Sequence, residues 1–160
     1  MDKHTKTQLL DHLTQLLEQG NAHVTFGQAC ADVPSQLLNQ QVPGLPYTIW
    51  QLAEHVRIAQ WDIVEYCLDP QHQSPPWPEG YWPKPDQQGD AQSWSATLAQ
   101  VQKDRQRLLD LLKQDSSDLL ASLPNDSGHT LLREALLIAD HTAYHTGQII
   151  LARRLLKDWE

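Results

Sequence analysis

The stretch Thr130–Leu156, TLLREALLIADHTAYHTGQIILARRLL, decides the fold. It is the longest uninterrupted amphipathic pattern in the chain and reads as one helix of about 40 Å, at a rise of about 1.5 Å per residue. Steps of three and four trace a single stripe through Leu131, Ala135, Ile138, His141, His145, Gln148, Ala152 and Leu155. Most of these side chains are apolar, so the stripe is expected to face a core. Within it, the four-residue spacing of His141 and His145 stacks two imidazoles on one face, about 6 Å apart. Leaving such groups unpaired inside a core costs roughly 1–3 kcal/mol each. They therefore need either hydrogen bonds of their own or one metal ion that both can reach.

Working outward, three further helices are expected and no strand. The first runs from about Thr5 to Gln19 on Leu9, Leu10, Leu13, Leu16 and Leu17, with Gly20 as its stop. A connection of nearly thirty residues follows, holding a short helix at the capping-box spacing Thr25-Phe26-Gly27-Gln28. The second long helix opens on another such box, Thr48 with Gln51, and ends before Pro70, with Leu52, His55, Val56, Ala59, Ile63 and Tyr66 on its inner face. A proline-rich loop with Trp77, Tyr81 and Trp82 runs to Gly89. Proline excludes regular structure there, while the aromatics predict an ordered arm packed on a surface, either a bundle end or a second copy. The third helix is placed at Ser93–Lys113, with Leu98, Val101, Leu108, Leu109 and Leu112 as core candidates. Arg153, Arg154 and Lys157 complement the dipole at the end of the last helix.

Among the other histidines, only His55 sits mid-helix on an inner stripe. His4, His12, His23, His72 and His129 fall at the start of the chain or in connections, where solvation is expected. If the two inner stripes meet, His55, His141 and His145 supply three neutral nitrogen donors and leave coordination positions open, the pattern of catalytic rather than structural metal sites. Gln148 shares the stripe and is a candidate to hydrogen-bond a ligand imidazole, with helix-to-helix amide bonding as the alternative. Tyr144 is a candidate for the site edge. Glu134 and Asp62 each lie seven residues from a ligand, about 10 Å along the axis, where a pocket-lining base competes with a solvated or capping role. Glu54 and Asp140 adjoin ligands but point about 100° away from them. No catalytic base can be named. Metal binding needs unprotonated imidazoles, so acidification below about pH 6.5 is expected to release the ion and to affect the metal-free chain less.

Composition narrows the function classes. The 160 residues suit one domain, and a net charge of −8 offers no attraction to a phosphate backbone. No apolar run approaches the roughly 18 residues of a membrane span, and the opening residues lead straight into an amphipathic pattern rather than a signal segment. Two cysteines without a motif, Cys30 and Cys67, point to small buried residues in a reducing cytoplasm. Six tryptophans and four tyrosines accompany one phenylalanine. So many aromatics with polar handles, together with the arm, predict a homodimer.

The segments Trp50-Gln51-Leu52-Ala53-Glu54-His55 and Asp140-His141-Thr142-Ala143-Tyr144-His145-Thr146-Gly147-Gln148-Ile149 resemble the DinB-like (YfiT-like) family of metalloenzymes. Ile58-Ala59-Gln60-Trp61-Asp62 and the Trp77-Pro78 to Tyr81-Trp82-Pro83 loop resemble one branch of it. The resemblance spans the chain. It implies an all-α four-helix bundle of up-down-down-up connectivity and one divalent ion, nickel, zinc or iron, held by His55, His141 and His145. It also implies chemistry of the kind found in characterised relatives, which include transferases and isomerases that use low-molecular-weight thiols. The long first connection agrees, since only a crossover lets consecutive helices run the same way. Hydrolysis is equally open to such a metal, and a non-enzymatic metal-binding accessory protein of the stress response is the alternative. A carboxylate-bridged di-iron bundle is excluded: it needs Glu-x-x-His pairs, and Leu52, Ile138 and Thr142 precede the three histidines by three.

Overall fold

The computed structural model describes residues 2–125 and 127–160; Met1 and Asp126 lie outside the described residues. It is all-helical, with α1 at Lys3–Gln19, α2 at Phe26–Cys30, α3 at Ile49–Leu68, α4 at Ala91–Lys113 and α5 at Leu131–Leu155. No strand occurs among the described residues.

Local chemistry explains the boundaries. Asp2 accepts from the Thr5 amide and starts α1, and Gly20 ends it at φ 67°, a left-handed conformation that glycine adopts without Cβ strain. Both boxes anticipated in the sequence form: Thr25 with Gln28, and Thr48 with Gln51, each satisfy two otherwise orphaned amides reciprocally. The start of α4 corrects the expectation. The helix begins at Ala91, two residues before Ser93, because Asp90 is the cap and Asp90 and Ser93 bond reciprocally.

Helix α3 packs against both α4 and α5, and α1 packs against α4 and α5. The apolar interior falls into two clusters. One joins Phe26, Leu38, Ile49, Trp50, Val56, Trp94, Val101 and Ile149; the other joins Leu13, Leu17, Val64, Leu108, Leu112, Leu131 and Ile138. Between them a polar layer crosses three helices: His55 and Gln60 on α3, Asp104 on α4, His145 and Thr146 on α5, all buried. Burying such groups costs free energy unless they are hydrogen-bonded, and within this layer Gln60 Oε1 has no partner among the described residues. Gln60 donates to the Val101 carbonyl at 2.6 Å, and Asp104 accepts from Gln100 and Arg107.

The connection after α1 belongs to the first cluster and is held down by the end of α5. Arg153 is buried and donates to the carbonyls of Ala29 and Ala31 and to Asp158. Its expected role at the helix dipole is therefore only part of its work. Leu155 also departs from expectation. It is 50% exposed, because ten residues at about 100° each leave it some 80° off the face of His145. Ile149, Ala152 and Arg153 carry the inner stripe instead.

The proline-rich arm packs on the chain's own bundle. Its far end is fixed by Asn39, which bonds both the amide and the carbonyl of Gly89, and by the Trp50 indole lying against Gly89. A Cβ at Gly89 would stand 2.2 Å from Trp50 Cδ1. Gly89→Ala is therefore expected to destabilise the protein by about 1–3 kcal/mol, the usual effect of overpacking. A melting temperature equal to wild type would show that the indole yields. The arm and bundle together absorb five of the six tryptophans, and only Trp77, 74% exposed, projects. Tryptophan number therefore no longer argues for a second copy.

Candidate metal centre

His55 enters the polar layer from α3, one helical turn inside a run of Leu52, Ala53 and Val56, all buried. His141 and His145 enter from α5. One nitrogen from each of the three rings lies within 4.8 Å of the others, and the group could hold a metal ion. The closest approach is 3.1 Å, between Nε2 of His55 and Nε2 of His141.

The chain decides which nitrogens face inward. His55 Nδ1 lies 2.7 Å from the Tyr81 carbonyl, and His145 Nδ1 lies 2.7 Å from Gln148 Oε1. Carbonyl oxygens only accept, so both Nδ1 atoms carry the proton and both Nε2 atoms present lone pairs. His141 is the ring whose tautomer these bonds leave open. As the Nε2–H form it donates to His55 Nε2, and as the other form it offers a third lone pair. Two fixed donors and one adjustable donor fit a divalent ion that takes neutral imidazole nitrogens. Gln148 is thus bonded to a ligand candidate.

Electrostatics favour neutral rings. Burial, then the neighbouring His145 and His55, push His141 down to about 3. Burial, then His55, push His145 down to about 4, against the bond to Gln148. Burial lowers His55 as well, against the bond to the Tyr81 carbonyl.

The arm supplies one wall, a role that sequence reasoning did not assign to it. Trp82 stacks on His55 with centroids 3.9 Å apart and planes 2° apart, and Tyr47 stacks on the other side of Trp82 at 4.0 Å. The Tyr81 carbonyl takes the His55 proton, as described. No periodicity links residue 82 to residue 55, so spacing could not have revealed the contact. Tyr144 is 64% exposed, and its ring meets His145 edge-on at 4.9 Å.

Three other residues depart from expectation. Asp62 is buried rather than solvated, accepting from the Tyr81 hydroxyl at 2.6 Å and paired with His72 Nε2 at 2.7 Å. His72 is accordingly largely buried, with the half-buried Trp61 ring edge-on to it; the expected solvation of His72 gives way to this network. Burial and the Asp62 carboxylate push the Tyr81 phenol up to about 12, which keeps it a donor. Glu134 is also buried, bonded to Arg133 and close to His129. Both carboxylates are thus engaged away from His55, His141 and His145. Glu54 bonds Arg57 and Thr97, in keeping with its off-face position. Burial pushes the Cys30 and Cys67 thiols up to about 12, consistent with packing rather than reactivity. No described helix is long and apolar enough to cross a membrane.

A family model described as the DinB superfamily matches residues 8–149, which contain all three histidines and the arm. No curated protein and no solved structure matches the chain.

Proposed function

We propose, from the premise that this chain belongs to the DinB superfamily, that it is a cytoplasmic divalent-metal enzyme of the thiol-transferase or hydrolase type, with His55, His141 and His145 as ligands. The up-down-down-up order of the family is part of this reading. It is supported by the near-constant offset of the contacts Glu54–Thr97, Gln60–Val101 and Glu65–Arg107, as between parallel α3 and α4. The meeting of His55 with His141 while Tyr66 meets His129 fits an antiparallel α3 and α5.

The observation that carries the function is the pair of committed Nδ1–H groups, which turn two Nε2 lone pairs toward a third imidazole before any ion arrives. When bound, nickel, zinc or iron would supply Lewis acidity, which makes a weak nucleophile such as a thiol or water reactive near neutral pH. The chain's own contribution is orientation and shielding. Gln148 and the Tyr81 carbonyl fix ring tautomers, Trp82 limits water on the His55 side, and Tyr144 stands at the exposed rim.

One observation favours a non-enzymatic metal-binding accessory role: Asp62 and Glu134 are both occupied elsewhere, so neither carboxylate faces His55, His141 or His145 as a base. The two readings separate in the visible spectrum of the cobalt- or nickel-substituted protein. Under the enzyme reading, a low-molecular-weight thiol at millimolar concentration shifts the ligand-field or charge-transfer bands. An unchanged spectrum with thiols would remove the transferase form of the proposal.

A further inference from the structure

Arg105 stands apart from the other arginines of the chain. Arg57 bonds Glu54, Arg107 bonds Glu65 and Asp104, Arg133 bonds Glu134, and Arg153 bonds Asp158 and two main-chain carbonyls. Arg154 is exposed, where water solvates it. Arg105 is half-buried on α4, yet its guanidinium makes no hydrogen bond and no ion pair among the described residues. Burial pulls its pKa below the ordinary arginine value, and the charge of Glu18 opposes this from a distance. The group stays protonated all the same, since an arginine in a protein does not give up its proton near neutral pH. A charge held half out of water without a partner costs free energy that an arriving anion would recover.

The guanidinium opens onto a cleft of about 550 Å³ between α4, the end of α1 and the start of α2. Small-molecule sites are commonly of this size, mostly apolar, with a few placed polar groups. Steps of three and four along α4 set Leu98, Gln102, Arg105 and Leu109 on one wall. Val101 and Phe26 add apolar surface, and Glu18 stands exposed at the rim. The cleft shares no lining residue with the histidine centre.

We propose that this cleft is a second ligand site, for a small organic molecule with one carboxylate and an apolar body, anchored by Arg105. The planar guanidinium fork matches a carboxylate bidentately, and the apolar walls receive the body. Glu18 at the rim and the net charge of −8 oppose any ligand of higher negative charge, which selects a monocarboxylate over a phosphate. The inference does not rest on the metal reading.

Titration of the isotope-labelled chain with benzoate, followed through its amide resonances, tests it, with benzamide as an uncharged control of the same shape. Benzoate is expected to move the Gln102 side-chain amide and the α4 amides around Arg105, and to saturate at millimolar concentration. Benzamide and inorganic phosphate are each expected to bind at least about tenfold more weakly. Arg105→Met keeps an apolar stem but removes the fork, and is expected to lose at least about tenfold in benzoate affinity. Glu18→Gln removes the neighbouring like charge and is expected to tighten benzoate about two- to fivefold. Equal affinity for benzoate and benzamide overturns the proposal, and that comparison needs only the wild-type chain. Phosphate binding as tight as benzoate overturns it too, as does the absence of saturable shifts. So do shifts confined to α5 around His141 and His145, which would put benzoate on the metal centre. Undiminished binding in Arg105→Met, or weaker binding in Glu18→Gln, would likewise remove Arg105 as the anchor or Glu18 as the rim charge that selects the ligand.

Discussion

His55→Ala is expected to reduce bound metal from one equivalent to a trace, with affinity falling by more than the roughly 10- to 100-fold that loss of an outer hydrogen-bond partner costs. The same result is expected for His141→Ala and His145→Ala, since each removes one of three converging nitrogens. Gln148→Ala should fall in the lower range, because it frees the His145 tautomer without removing a donor. Tyr81→Phe should change affinity little. It removes the hydroxyl bond to Asp62 but keeps the carbonyl that takes the His55 proton. Elemental analysis of protein prepared without a metal-affinity tag gives the stoichiometry, and competition with a chelator gives the ranking. A full equivalent retained at wild-type affinity in His55→Ala would sink the three-histidine site.

Acid is expected to weaken the metal-free protein as well, which revises the reading from free imidazole. In the unfolded chain each histidine titrates near 6.5. In the fold, His141 lies at about 3 and His145 at about 4, with His55 also below its ordinary value. Between those limits the unfolded chain takes up protons that the folded chain refuses, so unfolding becomes easier as pH falls. The contribution is fully present above about 6.5 and lost as pH drops through the folded values, with a slope of at most about 1.4 kcal/mol per pH unit for each ring. Rings that stay neutral in the fold at pH 5 should also keep their ion there. Melting curves in chelator from pH 7.5 to 5 test the first statement, against a His141→Gln, His145→Gln double variant. Equal slopes would mean that these rings are not held neutral by the fold.

The helices and the ligand candidates were legible because each has a short-range signature. Thr48 with Gln51 marks a cap, and His141 with His145 on an apolar stripe marks a shared face; both signals lie within one turn. The two-residue difference at the start of α4 has the converse reason. Asp90 and Ser93 are both competent caps, and only their reciprocal bonding decides between them. Asp62, His72, Tyr81 and Trp82 could not be placed, since their network depends on how an arm without periodicity folds back on α3. Leu155 was assigned inward by extending steps of three and four beyond the distance over which they track the true helical angle.

The arm's hold on His55 has a consequence for how this scaffold can change over time. The hydrogen bond comes from the main-chain carbonyl of residue 81, which every amino acid possesses. Substitution at that position can therefore alter the local chemistry without withdrawing support from the imidazole. The bundle supplies the nitrogens, and a loop, the part of a fold most tolerant of sequence change, supplies the wall. Lineages built on this plan can exchange one wall for another, and with it the molecules admitted, while the helices that carry the nitrogens stay as they are.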